Sequence, residues 1–199
     1  MNDILIGIDF DNTIVCYDSV FYEVAVERKM IGCELQCRSK EQVRDYLRGI
    51  GREDQWTLLQ GYVYGACMSR ANPFPSVIDF FKLCREKRIF TAIVSHKTLF
   101  PFNGPKYDLH RVARQWLEDQ QIDRIVAQIH FEPTRKDKLH RISQIGCTHF
   151  IDDLPDFLAE TDFPKAAERF HFDPNFSEFK HQFRRLHSWA EAIEWIISL

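Results

Sequence analysis

Ile4-Leu5-Ile6-Gly7-Ile8 is an almost unbroken apolar run that stops at Asp9. A short run without alternation suits a strand buried on both faces, as in a parallel sheet. Ile89 to Val94, Ile125 to His130 and Thr148 to Ile151 read the same way, and Arg169 to Phe172 is a fifth candidate. Between them the period changes to that of a helix. Leu109, Val112, Ala113, Trp116 and Leu117 follow i, i+3, i+4, i+7, i+8 spacing. Trp189, Ala192, Ile193, Ile196 and Ile197 repeat it behind Ser188-x-x-Glu191, a capping box. Strands alternating with helices predict an α/β fold, a parallel sheet flanked by helices.

Residues 16–72 interrupt the alternation with helical patterns alone. Val20, Phe21, Val24 and Ala25 mark one helix. Ser39 and Gln42 box the start of a second, with Val43, Tyr46, Leu47 and Ile50. Leu58, Leu59, Tyr62, Val63 and Ala66 mark a third. Asn72-Pro73-Phe74-Pro75 then breaks the pattern before a helix near 76–87. The expected division is a catalytic core of 1–15 and 73–199 with a small helical cap at 16–72.

Composition narrows the function classes. Apolar residues at 45% and charged residues at 28% describe a globular chain, and 199 residues suffice for one full core. The net charge of −3 gives no broad footprint for nucleic acid. No apolar run reaches the roughly 18 residues of a membrane helix. Asp3, Asp9 and Asp11 near the start speak against a secretory leader, and six scattered cysteines read as reduced thiols. A cytoplasmic protein is expected.

Chemistry concentrates at strand ends. Asp9-Phe10-Asp11-Asn12-Thr13 follows the first strand. A capping turn is the plainer explanation. Ligands of open α/β sheets, however, bind outside the carboxyl ends of the strands. Two carboxylates one residue apart also repel, which calls for a positive partner, a divalent metal being the simplest. An EF-hand loop is excluded, because Ile14 and Val20 stand where it needs Gly and Glu. Asp152-Asp153-Leu154-Pro155-Asp156 closes another strand. Pro155 and the acids suit a helix start; beside the first pair they also suit a shared Mg²⁺ site of hard oxygen donors. Ser95 follows Ile93-Val94, where a hydroxyl can bind a phosphate oxygen. Arg135-Lys136-Asp137-Lys138 opens the helix of Leu139 and Ile142. Such runs are usually solvated helix starts, but one Lys here can neutralise carboxylate and phosphate.

Asp9-x-Asp11-x-Thr13, Ser95, a Lys and Asp152-Asp153 resemble, in order, the four motifs of the haloacid dehalogenase superfamily, over residues 4 to about 172. The resemblance implies a Rossmann-like core and makes 16–72 the cap. It implies that Asp9 is the nucleophile that becomes a phosphoaspartate and Asp11 the general acid/base. Ser95 would hold phosphoryl oxygens and a Lys would steady the nucleophile. Lys136, in the first helical turn, is preferred over Lys138 and Lys97. Mg²⁺ would be bound by Asp9, by Asp11 through its backbone carbonyl, and by Asp152, with Asp153 beside it. Members acting on carbon–halogen bonds lack the second Asp, so Asp11 favours a phosphatase. Ile151 stands where many members have Gly, and the Asp152-Asp153 pair resembles nucleotidase-like variants.

The expected activity is Mg²⁺-dependent hydrolysis of a small phosphomonoester, a sugar phosphate or nucleotide, through an aspartyl-phosphate. A phosphotransferase and a non-catalytic phosphate-binding module are the rivals. The expected partner is a small phosphorylated metabolite, with neither nucleic acid nor membrane. Thr13, His96, Lys97, Tyr64 and Arg70 are the candidate substrate contacts, Arg70 and Lys97 for a second anionic group. Residues 16–72 with the 96–108 loop would choose the leaving group. Cys33-x-x-x-Cys37 lacks a second ligand pair nearby, so zinc is not expected there. Lys180, His181, Arg184 and Arg185 read as a solvated basic helix face.

Overall fold

The computed structural model describes residues 4–35, 39–178 and 183–199. The chain folds as two units, one of Met1–Val15, Pro73–Lys97 and Glu118–Leu199, the other of Cys16–Asn72 and Thr98–Leu117.

In the first unit, β1 (Leu5–Ile8) ends immediately before Asp9, and the chain then turns into β2 (Val15–Cys16). Three helices follow in the second unit: α1 (Asp18–Glu27), α2 (Lys40–Gly49) and α3 (Glu53–Ala66). The chain returns through β3 (Asn72–Pro73), which pairs with β2 as a two-stranded ribbon. Then come α4 (Val77–Glu86), β4 (Phe90–His96), α5 (Leu109–Asp119), β5 (Gln128–Glu132), α6 (Arg135–Gln144) and β6 (His149–Asp152). The short α7 (Pro155–Leu158), β7 (Glu168–Phe172), β8 (Arg184–Leu186) and α8 (Trp189–Ser198) complete the chain.

Six strands form one parallel sheet in the order β5-β4-β1-β6-β7-β8. The order reverses at β1, so the crevice of an open α/β sheet falls at its carboxyl end. Both sheet faces are covered. Leu139, Ile142, Phe150, Phe157 and Phe163 belong to one core cluster. Elsewhere Trp189 packs on Phe80 at 4.8 Å and on Phe172 at 5.4 Å between ring centroids. Gly7 permits the close approach of Phe150 to β1: a Cβ there would lie 2.5 Å from its ring.

The five expected strands are present, with the third displaced: Ile125 to Ala127 precede β5, which runs on to Glu132. The sixth corrects the basic helix face, because Arg184 and Arg185 lie in β8. Lys180 and His181 are outside the described residues, as is Cys37. Among the described residues no helix is long and apolar enough to cross a membrane.

The second unit buries Val20, Phe21, Val24, Val43, Leu47, Trp56, Leu59 and Val63. It also takes in 98–117, a stretch expected in the core. The reason is close packing on α3. A Cβ at Gly61 would lie 2.7 Å from Pro101 Cβ and 2.8 Å from the Asn103 carbonyl oxygen, and one at Gly65 would overlap Tyr107.

Candidate active site

Asp9 leaves β1 with its backbone N–H bonded to the Ile151 carbonyl at 2.9 Å, which fixes it between β1 and β6. The turn that follows is tight. Asn12 adopts φ 59°, a left-handed conformation that Asn tolerates better than most residues. Asn12 N–H donates to Val15 O, and Ile14 and Val15 N–H both donate to Phe10 O. Thr13 is fully buried, and its carbonyl accepts from Trp189 Nε1 at 2.9 Å, tying the turn to the start of α8.

Asp152, the last residue of β6, is fully buried. Its Oδ1 accepts from Leu154 N–H at 2.9 Å, the helix-start role that suits Pro155 and the acids around it. Its Oδ2 accepts from Lys138 Nζ at 2.5 Å, and the same Nζ donates to Asp9 Oδ1 at 2.6 Å. Lys138 therefore bridges the two strand-end carboxylates. Burial opposes its charge, but Asp152 and Asp9 outweigh it and hold the ammonium above its usual range.

This corrects the expectation of Lys136. Thr134 caps α6 by accepting from Asp137 N–H, which sets the phase of the helix. Lys138 then lies on the inner face with Leu139 and Ile142, all three buried. Lys136, two residues earlier, is turned by about 200° at 3.6 residues per turn and is exposed. The apolar stripe of the helix already carried that signal, since Lys138 and Ile142 are i, i+4.

Asp153 is half-buried beside the pair. Its carboxylate accepts from Asn12 Nδ2 at 3.3 Å and from Thr13 Oγ1 at 3.4 Å, and its backbone carbonyl lies 3.2 Å from His171 Nε2. Asp9, Asp152 and Asp153 each offer one oxygen, all within 4.8 Å of one another. Burial raises the Asp9 carboxyl to about 7; Lys138 works against this and Asp152 adds to it. Four carboxylates here meet two ammonium groups, so a divalent cation would balance the cluster. Hard, mutually close oxygens fit Mg²⁺. Asp156 is exposed and outside that group.

Ser95 and Lys97 come from the carboxyl end of β4. Both are buried and His96 between them is exposed, the alternation of a strand. Lys97 Nζ donates to Asp11 Oδ2 at 2.7 Å. The Asp11 side chain is thus directed to a lysine, and Asp11 is absent from the metal-compatible group. His96 Nε2 lies 3.1 Å from Pro133 O. Nothing in the sequence pattern signalled the Lys97–Asp11 pair.

The two cap candidates serve other partners. The Arg70 guanidinium is forked by Glu27 at 2.9 Å and by Glu23 at 2.7 Å, both on α1. Tyr64 packs edge-on against Tyr17 and Phe21 at 5.1 and 5.7 Å, although it lies off the stripe read from the sequence.

No protein-family model and no curated protein matches the sequence. Solved structures do match. A predicted phosphatase from Clostridium acetobutylicum superposes with TM-score 0.66 at 11% identity, covering 99% of both chains. A HAD-superfamily hydrolase from Ehrlichia chaffeensis gives 0.59 at 16% identity, covering 100% of this chain and 98% of that one. YfnB from Bacillus subtilis, solved with bound magnesium, gives 0.61 at 12% identity, covering 98% and 99%. With its parallel sheet and strand-end carboxylates, the chain has the fold of the haloacid dehalogenase superfamily.

Proposed function

We propose that this protein is a Mg²⁺-dependent phosphatase that hydrolyses a small phosphomonoester through an aspartyl-phosphate on Asp9. The observation that carries the reading is the Lys138 bridge between Asp9 and Asp152, with Asp153 alongside. A buried carboxylate held by one ammonium, near two further carboxylates, suits a nucleophile toward a phosphoryl group.

Asp9 Oδ1 is taken by Lys138, so Oδ2 is the attacking atom. As its bond to phosphorus forms, the bond from phosphorus to the leaving oxygen breaks. Asp11, which enters this step protonated, gives that oxygen its proton and is left as the carboxylate. In the second half-reaction a water oxygen attacks phosphorus, Asp11 takes the water proton, and the Asp9 carboxylate leaves with its electron pair. Ser95 holds a phosphoryl oxygen, and Lys138 offsets the charge that gathers on Asp9 and the phosphoryl group. Asp9, Asp152 and Asp153 would hold Mg²⁺, whose charge polarises the phosphoryl oxygens. Phosphoryl transfer asks mainly for this positioning and neutralisation. The small substrate, a sugar phosphate or nucleotide, follows from the family resemblance.

The test is phosphate release from a panel of phosphorylated metabolites, with and without Mg²⁺. Release that needs Mg²⁺ supports the reading. No release from any phosphomonoester overturns it.

A further inference from the structure

The two carboxylates of the first motif have separate cations. Asp9 is served by Lys138 and Asp11 by Lys97. The Lys97 side chain is 4% exposed and that of Asp11 19%. Lys97 N–H donates to Glu132 O at 2.8 Å, so its backbone continues the pairing of β4 with β5. Its ammonium lies 5.3 Å from the centroid of the Phe10 ring, on the turn that carries Asp11. A lysine enclosed this way holds Asp11 in a defined geometry, unlike a solvated lysine.

Asp11 has a demanding place in the proposed reaction. Its carboxyl group must serve the leaving oxygen in one half-reaction and the water in the next. It also stands two residues from Asp9, whose charge repels its own. An ammonium at 2.7 Å fixes its rotamer and offsets that repulsion.

We propose that Lys97 is a positioning residue that acts through Asp11. On the phosphatase reading, it governs both proton transfers that Asp11 makes, to the leaving group and from the water, and leaves attack by Asp9 largely untouched. This replaces the sequence expectation that Lys97 binds a second anionic group of the substrate, because its ammonium already points at Asp11.

A double-mutant cycle with two substrates tests this. Lys97→Met, Asp11→Asn and the double variant are each assayed on nitrophenyl phosphate and on glycerol phosphate, whose alkoxide leaves poorly. General acids contribute about 10²–10⁴-fold, so Lys97→Met should lower kcat/KM on glycerol phosphate by at least about 10-fold. Its kcat/KM on nitrophenyl phosphate should change little, because that constant runs only through formation of the phospho-enzyme and nitrophenolate leaves without a proton; hydrolysis of the phospho-enzyme, common to both substrates, is slowed alike. Lys97→Arg should restore part of the loss. In the Asp11→Asn background, Lys97→Met should add nothing. A raised KM with kcat preserved, or a loss that persists without the Asp11 carboxylate, overturns the proposal. If the wild-type protein hydrolyses no phosphomonoester, the phosphatase reading fails by itself. Crystal structures of wild type and Lys97→Met then decide the positioning claim: Asp11 shifted from its rotamer supports it, and Asp11 unmoved overturns it.

Discussion

Lys138 Nζ lies 2.6 Å from Asp9 Oδ1, a buried ion pair across 129 positions of sequence. The same ammonium reaches Asp152, so its loss would leave two buried carboxylates facing each other. Lys138→Ala should lower phosphate release by about 10²-fold or more, the scale of removing one preorganised charge donor. Lys136→Ala should stay within about twofold, since substitutions of exposed residues change little. Steady-state rates on one good substrate decide it; the reverse order would place the motif at Lys136.

The Mg²⁺ requirement should follow the cluster of Asp9, Asp152 and Asp153. Asp152→Asn should raise the half-saturating Mg²⁺ concentration by about 10²-fold, since even outer-shell partners cost 10–100-fold. Asp156→Asn should not move it, because Asp156 lies outside the group. Thermal unfolding gives a second readout. Mg²⁺ at about 100 times its Kd adds roughly 2.7 kcal/mol to the wild type, a clear rise in Tm. Asp152→Asn should lose that rise. Equal Mg²⁺ responses in wild type and Asp152→Asn would contradict the assignment.

Two glycines should respond oppositely to alanine. At Gly61 the new Cβ meets Pro101 and a backbone carbonyl that cannot step aside. Overpacking there should cost about 1–3 kcal/mol, more than the helix propensity it gains. At Gly49, in the last turn of α2, a Cβ meets nothing within 4 Å. Gly49→Ala should be neutral or stabilising by up to about 1 kcal/mol. Denaturant unfolding curves test both, and an unchanged Gly61→Ala midpoint would remove the close packing of 98–117 on α3 as a source of stability.

Much of this was legible in the sequence. β1, β4 and β6 are buried on both faces, so their apolar runs are continuous, and the chain marks each end with Asp9, Ser95 or Asp152. The Ser39 and Ser188 caps were equally plain: each hydroxyl accepts the backbone N–H three residues on. β8 was not legible. It has three residues, two of them arginine, and lies at the sheet edge, where polar side chains face outward. Lys138 needed the phase of α6 as well as its start. Tyr64 stands off an apolar stripe in the sequence and Arg70 is a polar residue of the same insertion; long-range partners on α1, and Tyr17 just before it, engage both. The Lys97–Asp11 pair joins positions 86 apart and leaves no local pattern.

The most direct measurement is mass analysis of the peptide containing Asp9, after turnover of a good phosphomonoester substrate is quenched in acid. A phosphoryl group is expected on Asp9 in the wild-type protein, and neither that group nor phosphate release in Asp9→Asn. Sustained phosphate release with the label on another residue, or from the Asp9→Asn variant at near wild-type rate, would contradict it.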